Sequence, residues 1–248
     1  MAKVLVLIRE PLLESIHMKY GLFIARECRK QLVLLTMQSN RPLDELAEKE
    51  LKKTKSRAKR DGIDCKLIKS KGDAVQAIVR ASEAIDLVVI NDRSGDNREP
   101  TELIPIVKDL VEKARIPALV NFGKESSLKR PLFAISGSDK SRVALRAALL
   151  ALGGKVFRRG VALHVGKDTD KAHEALDEAA KIANDFEVTL EPQIVDGDVV
   201  PTILDVAAKQ ECDFIVLGTY IRGLLQRALS SSVTEDLLAS GALPLLLG

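Results

Sequence analysis

The sequence predicts an α/β protein made of two tandem domains, each built around a five-stranded parallel sheet. The first observation behind this prediction is an internal repeat: Lys71–Asn91 matches Asp196–Gly218, with two residues inserted in the second copy. After the insertion, 127 positions separate equivalent residues such as Asp86 and Asp213. The second observation is that short aliphatic runs alternate with longer amphipathic segments in each copy, as strands alternate with helices.

The aliphatic runs define the strands of both copies in order. Predicted strands lie at 3–8, 31–37, 64–69, 86–91 and 117–121 in the first copy, and at 131–135, 160–165, 187–193, 213–218 and 243–247 in the second. The fourth run of each copy, DLVVIN or DFIVLG, is apolar on both faces, as a central strand covered by helices requires. Parallel strands joined by helices form an open sheet with right-handed crossovers, and ligands bind beyond the carboxyl ends of its strands.

The segment GKESSLKR, residues 123–130, separates the two copies and is predicted to be the linker. We therefore expect a first domain at residues 1–123 and a second domain at residues 131–248.

The composition predicts an aliphatic core and excludes several kinds of site. Hydrophobic residues make up 46% of the chain and aromatic residues only 3%, which disfavours binding of single-stranded nucleic acid by base stacking. The basic run at residues 52–60 follows an acidic stretch within one predicted helix, which is typical of a solvated face, so we expect no nucleic-acid partner. The three cysteines and three histidines are scattered without metal-ligand spacing, which predicts reduced buried thiols and no metal site.

The beginning of the chain predicts neither a secretory signal nor a membrane anchor. A strand-like run starts at Lys3, charged residues follow at Arg9 and Glu10, and no apolar run approaches the length of a membrane span. We therefore expect a cytoplasmic protein.

The loop GTYIRGLLQRALSSSV, residues 218–233, leaves the fourth strand of the second copy and has features of a phosphate-binding loop. It begins at a glycine, carries Arg222 and Arg227 with no acidic residue, and runs into an amphipathic helix. The start of that helix also fits a capping box, with Ser232 as N-cap and Glu235 bonding back to it. In the same way, Ser138 is predicted to cap the helix that follows the first strand of this copy.

The repeat, this loop, the helix after it and a short final strand occur in an order that resembles a tandem universal stress protein. That family has an adenine nucleotide alpha hydrolase-like fold, and its nucleotide-binding members carry G-x2-G-x9-G-[ST] after the fourth strand. The resemblance covers essentially the whole chain and implies a candidate nucleotide pocket in the second domain. The residues that it places there are Ser136, Val165, Leu217, Gly218, Ile221, Ser231, Ser232 and Val233.

Three positions of the family's nucleotide motif are changed in this chain. Ile221 and Ser231 stand where the motif has its second and third glycines, and Ser136 stands where the family usually has an aspartate. Glycine permits a positive φ and lets a phosphate approach the bare backbone, so both replacements weaken the expected grip on phosphate. Two interpretations stay open: Ser232 only caps its helix, or the second domain retains ATP or another adenine nucleotide.

The first domain is predicted to bind no nucleotide. Its equivalent loop, NDRSGDNREPTELIPIV, has no glycine at either later motif position and carries two more acidic than basic residues. Such a loop repels a polyphosphate, whereas the loop of the second domain attracts one.

The sequence favours a non-catalytic tandem universal stress protein that acts as a stress-response regulatory or interaction module. The alternative is an ATP-binding switch, with weak ATPase activity at most, that uses only the second domain. No catalytic residues are assigned, because no Ser-His-Asp, Cys-His or paired-carboxylate motif is visible. The resemblance also implies that the fifth strands of the two domains pair, as pseudo-twofold partners. We further expect a homodimer, because homodimers are common among soluble proteins, and a separate, unidentified protein partner.

Overall fold

The fold was analysed in a computed structural model, which describes residues 2–8, 16–37, 45–81, 85–91, 103–218 and 232–248. Its strands are β1 (Lys3–Ile8), β2 (Gln31–Met37), β3 (Cys65–Ser70), β4 (Ile85–Asn91), β5 (Ala118–Asn121), β6 (Pro131–Ala134), β7 (Arg159–Val165), β8 (Thr189–Val195), β9 (Phe214–Leu217) and β10 (Leu245–Leu247). Its helices are α1 (Ile16–Glu27), α2 (Glu45–Arg60), α3 (Ala74–Ala81), α4 (Leu103–Lys108), α5 (Asp139–Leu152), α6 (Asp170–Asn184), α7 (Val199–Lys209) and α8 (Val233–Ser240), and a π-helical turn (Asp109–Lys113) extends α4.

The described strands form one continuous ten-stranded sheet in the order β3-β2-β1-β4-β5-β10-β9-β6-β7-β8. Within each half, strands β1–β5 or β6–β10, neighbouring strands are parallel, and both halves follow the same order. The halves meet where β5 and β10 pair antiparallel, with Leu246 opposite Leu119. This pairing confirms the predicted α/β fold with two five-stranded halves, and it confirms that the fifth strands pair with each other.

Helices cover both faces of the sheet, and each face has a core that includes residues of both halves. One core contains the buried residues of α1, α2, α5 and α6, and the other contains those of α3, α4, α7 and α8. Neighbours along β10 alternate between them, since Leu245 and Leu247 belong to the second core and Leu246 belongs to the first. The two half-sheets therefore share their hydrophobic layers as well as a strand pair.

The segment between the halves, residues 123–130, is bound to the protein surface, and we call it the strap. Asp213, just before β9, holds it: its carboxylate accepts hydrogen bonds from the backbone N–H groups of Lys129 and Arg130, both at 2.9 Å, and from the hydroxyl of Ser127. Leu128 is fully buried although its φ is +55°, a left-handed conformation that is costly for a leucine. The predicted linker is thus a fixed part of the fold.

All ten predicted strands are confirmed, with ends that differ from the prediction by at most two residues. Aliphatic runs flanked by polar turns predict the central strands well, because both faces of a strand that helices cover on both sides are buried.

Candidate functional site

A cavity of about 650 Å³ lies beyond the carboxyl ends of β6, β7 and β9. The beginnings of α5 and α8 and one side of α7 complete its walls. The order of the half-sheet reverses at β6, because β7 lies on one side of it and β9 on the other. The cavity is therefore at the switch point of an open α/β sheet, where ligands of such folds bind, and its volume is in the usual range for small-molecule sites.

The turn from β6 into α5 forms the first wall. Gly137 in this turn has a φ of +75°, a conformation that glycine adopts without strain. The hydroxyls of Ser136 and Ser138 are 2.9 Å apart, and Ser138 accepts a hydrogen bond from the backbone N–H of Ser141, which confirms it as the N-cap of α5. Arg142 donates to the carbonyl oxygen of Gly137 at 3.1 Å and so ties the turn to the first turn of α5.

Gly218, which follows β9, packs directly against the backbone of α5. A Cβ atom added at this position would lie 2.5 Å from the carbonyl carbon of Lys140 and 2.8 Å from the backbone nitrogen of Ser141. Since real Cβ atoms essentially never come within 3.0 Å of other atoms, the close approach of β9 to α5 itself requires glycine here. The first glycine of the predicted motif therefore has a packing role that needs no ligand.

The start of α8 is a complete capping box, as predicted. The Ser232 hydroxyl accepts a hydrogen bond from the backbone N–H of Glu235 at 3.2 Å, and a carboxylate oxygen of Glu235 accepts one from the backbone N–H of Ser232 at 3.4 Å. The other carboxylate oxygen of Glu235 is buried without a hydrogen-bond partner in the described part of the chain. Thr234, the next residue after Val233, is 2% exposed and also lines the cavity.

The end of β7 and one side of α7 supply the remaining walls. His164 lines the cavity, and its Nδ1 lies 2.9 Å from the carbonyl oxygen of Ile135, so that carbonyl holds the ring in place. Val165 follows it, and Val199 and Ile203 of α7 face the same space. Apart from His164, this wall is aliphatic, and the described lining residues include no carboxylate.

The structure brings six of the eight predicted site residues together around this cavity: Ser136, Val165, Leu217, Gly218, Ser232 and Val233. The other two, Ile221 and Ser231, lie outside the described residues. Their assignment to a nucleotide pocket stays a prediction.

Sequence reasoning missed several lining residues, including Lys140, His164, Val199 and Ile203. The histidine was recognisable, because it is a polar residue at the carboxyl end of a predicted strand. The two residues of α7 carried no such signal, since valine and isoleucine on an amphipathic helix equally indicate ordinary core positions.

The described residues contain no group of three or more His, Cys, Asp or Glu side chains that could hold a metal ion. None of the helices in the described ranges is long and apolar enough to cross a membrane.

Comparison with solved structures shows a shared fold along the whole chain. A universal stress protein from Archaeoglobus fulgidus superimposes with a TM-score of 0.67 at 17% identity, covering 98% of this chain and 95% of the other. A putative universal stress protein from Pseudomonas aeruginosa gives a TM-score of 0.65 at 19% identity, covering 100% and 92%. A functionally unknown protein from the same species, PA1789, gives 0.64 at 20% identity, also covering 100% and 92%.

No match was found among curated proteins. The match to a family model is confined to the half of the chain that contains the cavity: residues 128–247 match the Universal stress protein family.

Proposed function

We propose that the chain is a non-catalytic tandem universal stress protein, with domains at residues 1–123 and 131–248, that acts in the cytoplasm as a regulatory or interaction module. The observation that carries the proposal is that the polar side chains at the cavity hold the fold together. The hydroxyls of Ser138 and Ser232 cap helices, and the hydroxyl of Ser141 donates to the carbonyl oxygen of Ser138. A hydroxyl engaged in this way is poorly suited to act as a nucleophile, which requires a neighbouring base.

The absence of turnover is tested by incubating the purified protein with ATP and measuring the release of phosphate. We expect no release above that of a Ser232→Ala variant, which lacks the cap and serves as the matched control. Turnover in the wild-type protein that this variant loses would contradict the proposal.

The homodimer is tested by light scattering on a size-exclusion column. The chain has a mass of 27.1 kDa, and we expect a species of about twice this mass, since closed twofold dimers are the commonest oligomers. A mass equal to that of one chain at all concentrations would contradict the dimer.

The second candidate function is binding of one adenine nucleotide per chain in the cavity of the second half. It is favoured because six residues that the family resemblance selected, among them Gly218 and Ser232, surround one cavity of suitable volume. A ligand at 100 times its dissociation constant stabilises a protein by about 2.7 kcal/mol, which a thermal-shift scan with ATP, ADP and AMP detects.

Calorimetry then gives the stoichiometry, which we expect to be one because the loop of the first half is acidic. Restoring both glycines, with Ile221→Gly and Ser231→Gly, should strengthen binding by reopening the backbone. If millimolar nucleotide leaves the unfolding temperature unchanged, this candidate function is excluded.

A further inference from the structure

We propose that two copies of the chain associate by packing α2 of one copy antiparallel against α6 of the other. The inference rests on the homodimer proposed above and names the surface that forms it. The two helices occupy equivalent places in the two halves, since each follows the second strand of its half, and the buried residues of both belong to the same core. Their outer sides therefore belong to one helical layer of the protein.

The outer side of α2 carries a regular row of polar residues, which we call the α2 stripe. Leu51, Thr54 and Ala58 are buried and define the inner side of this helix. The stripe lies on the opposite side, and its members recur at intervals that keep them together on an α-helix: Glu45, Lys49, Lys52 and Ser56. All four are exposed, and none forms a hydrogen bond or an ion pair with another part of the described chain.

The outer side of α6 carries a row with the same spacing, which we call the α6 stripe. Ala172, Leu176 and Ala179 are buried and define the inner side of this helix. The stripe opposite them consists of Asp170, Glu174, Asp177 and Lys181. These four residues are also exposed and also lack a hydrogen bond or ion pair within the described ranges. Their charged groups are therefore available to a second copy.

The charges of the two stripes are complementary when the helices run antiparallel. The facing positions are then Glu45 and Lys181, Lys49 and Asp177, Lys52 and Glu174, and Ser56 and Asp170. Three of these positions join opposite charges, and at the fourth a hydroxyl faces a carboxylate that accepts its hydrogen bond. A parallel arrangement would instead place Glu45 against Asp170, and such like-charge contacts select against a wrong orientation.

The same pattern favours a second copy over a uniform polyanion such as nucleic acid. A row of phosphates would match the lysines of the α2 stripe but would meet Glu45 and its exposed neighbour Glu48 at the start of the helix. The α6 stripe has its one lysine at the position that faces Glu45. Residues 38–44, which lead into α2, contain one arginine and one aspartate and so add no net charge to this end.

Twofold symmetry doubles the contact. In a closed dimer, α2 of each copy meets α6 of the other, so that the three ion pairs form twice. One exposed ion pair changes an equilibrium by at most about fivefold. The affinity therefore depends on many weak pairs acting together, and it should fall as salt screens them.

The test measures the mass of the full-length protein by light scattering over a series of concentrations. We expect a dimer whose dissociation constant increases when potassium chloride is raised from about 50 mM to about 500 mM. Lys49→Glu with Lys52→Glu should raise that constant about 100-fold at low salt, since four facing pairs become repulsive and each counts for about threefold. Glu174→Lys with Asp177→Lys, on the other stripe, should have a similar effect.

Mixing the two double variants tests the contact itself. Each variant alone carries two stripes of like charge, whereas an equal mixture offers an acidic α2 to a basic α6 and a basic α2 to an acidic α6. We expect the mixture to form dimers that neither variant forms alone, which also shows that both variants are folded. The control is Lys71→Glu with Arg80→Glu, at exposed residues in or next to α3 on the other side of the sheet. It changes the net charge as much as the α2 variant does and should leave the dimer intact.

A dimer that survives both double reversals would overturn this interface and leave the proposed homodimer standing. A monomer at all concentrations would overturn both. Equal dissociation by the control variant would show that net charge, and not the facing stripes, governs association, and would also overturn the proposal.

Discussion

At the scale of single residues, Gly218 shows how one residue can satisfy two different expectations. From the sequence it is the first glycine of a phosphate-binding motif, and in the fold it allows β9 to pass against the backbone of Lys140. The two roles make different predictions for the protein without any ligand. If glycine served only to admit a phosphate, a side chain at this position would leave the stability of the empty protein unchanged.

We predict that Gly218→Ala destabilises the ligand-free protein by about 1–3 kcal/mol, the usual effect of forcing extra atoms into a packed contact. Urea unfolding measures this change. Gly72→Ala is the control, because Gly72 has a φ of +87° with no atom within 4 Å of the added Cβ, so it reports backbone strain alone. A Gly218→Ala variant as stable as the wild type would show that the contact relaxes without cost.

Tyr20 of α1 gives a prediction about alkaline pH. Its hydroxyl donates to the carbonyl oxygen of Lys124 in the strap at 2.8 Å, and burial raises its pKa from 10.0 to about 12. Because the folded state favours the neutral phenol, the stability that this group contributes is complete below pH 10 and is lost as the pH rises from 10 to about 12. Tyr20→Phe should therefore lose less stability than the wild type over this interval, as measured by urea unfolding at each pH. Parallel curves for the two proteins would contradict the assignment.

At the scale of elements, the strap connects α1 of the first half to β9 of the second. We predict that Asp213→Ala destabilises the protein by about 2–4 kcal/mol, because two backbone N–H groups and a hydroxyl lose a charged acceptor. Thermal unfolding measures the loss. The control is Asp205→Ala, which removes only an exposed ion pair with Lys209 and should cost less than about 1 kcal/mol. Equal losses in the two variants would show that the strap contributes little.

The same elements show what the sequence could and could not predict. The ten strands and the predicted caps at Ser138 and Ser232 follow from local patterns, since an aliphatic run or a serine at the start of a helix has the same meaning in any fold. The fixed conformation of the strap could not be predicted from the sequence. It depends on hydrogen bonds to Asp213, which lies more than 80 positions away in the chain. For the same reason, only some of the cavity's residues were predicted: those of α7 join it through the packing of the whole second half.

At the scale of the whole molecule, the shared cores predict cooperative unfolding. Both cores contain residues of both halves, and the thiol of Cys28, just after α1, donates to the carbonyl oxygen of Ala151 in α5 at 3.3 Å. We predict a single calorimetric transition in which the van't Hoff and calorimetric enthalpies agree. Independent domains would instead give two transitions, and the appearance of two would contradict this coupling.

The two edge strands of the sheet, β3 and β8, carry residues that disfavour pairing with a further strand. At one edge, β3 carries two exposed lysines, Lys66 and Lys69, and at the other, β8 contains Pro192, which has no N–H to donate. Lysine and proline are devices by which natural sheets resist the addition of another strand. The proposed homodimer is therefore expected to form through helices and not by continuing the sheet.

The antiparallel junction of β5 and β10 also determines the direction in which each half opens. Since the strands of each half run parallel, their carboxyl ends point to opposite margins of the molecule. Two ligands, one in each half, would thus face away from each other, and no single small molecule could bridge both positions. The segment from Asp213 to Gly218 spans about 17 Å at 3.3 Å per residue, with the strap at its start and the cavity at its end. β9 therefore connects the strap, which lies between the two halves in the chain, directly to the cavity.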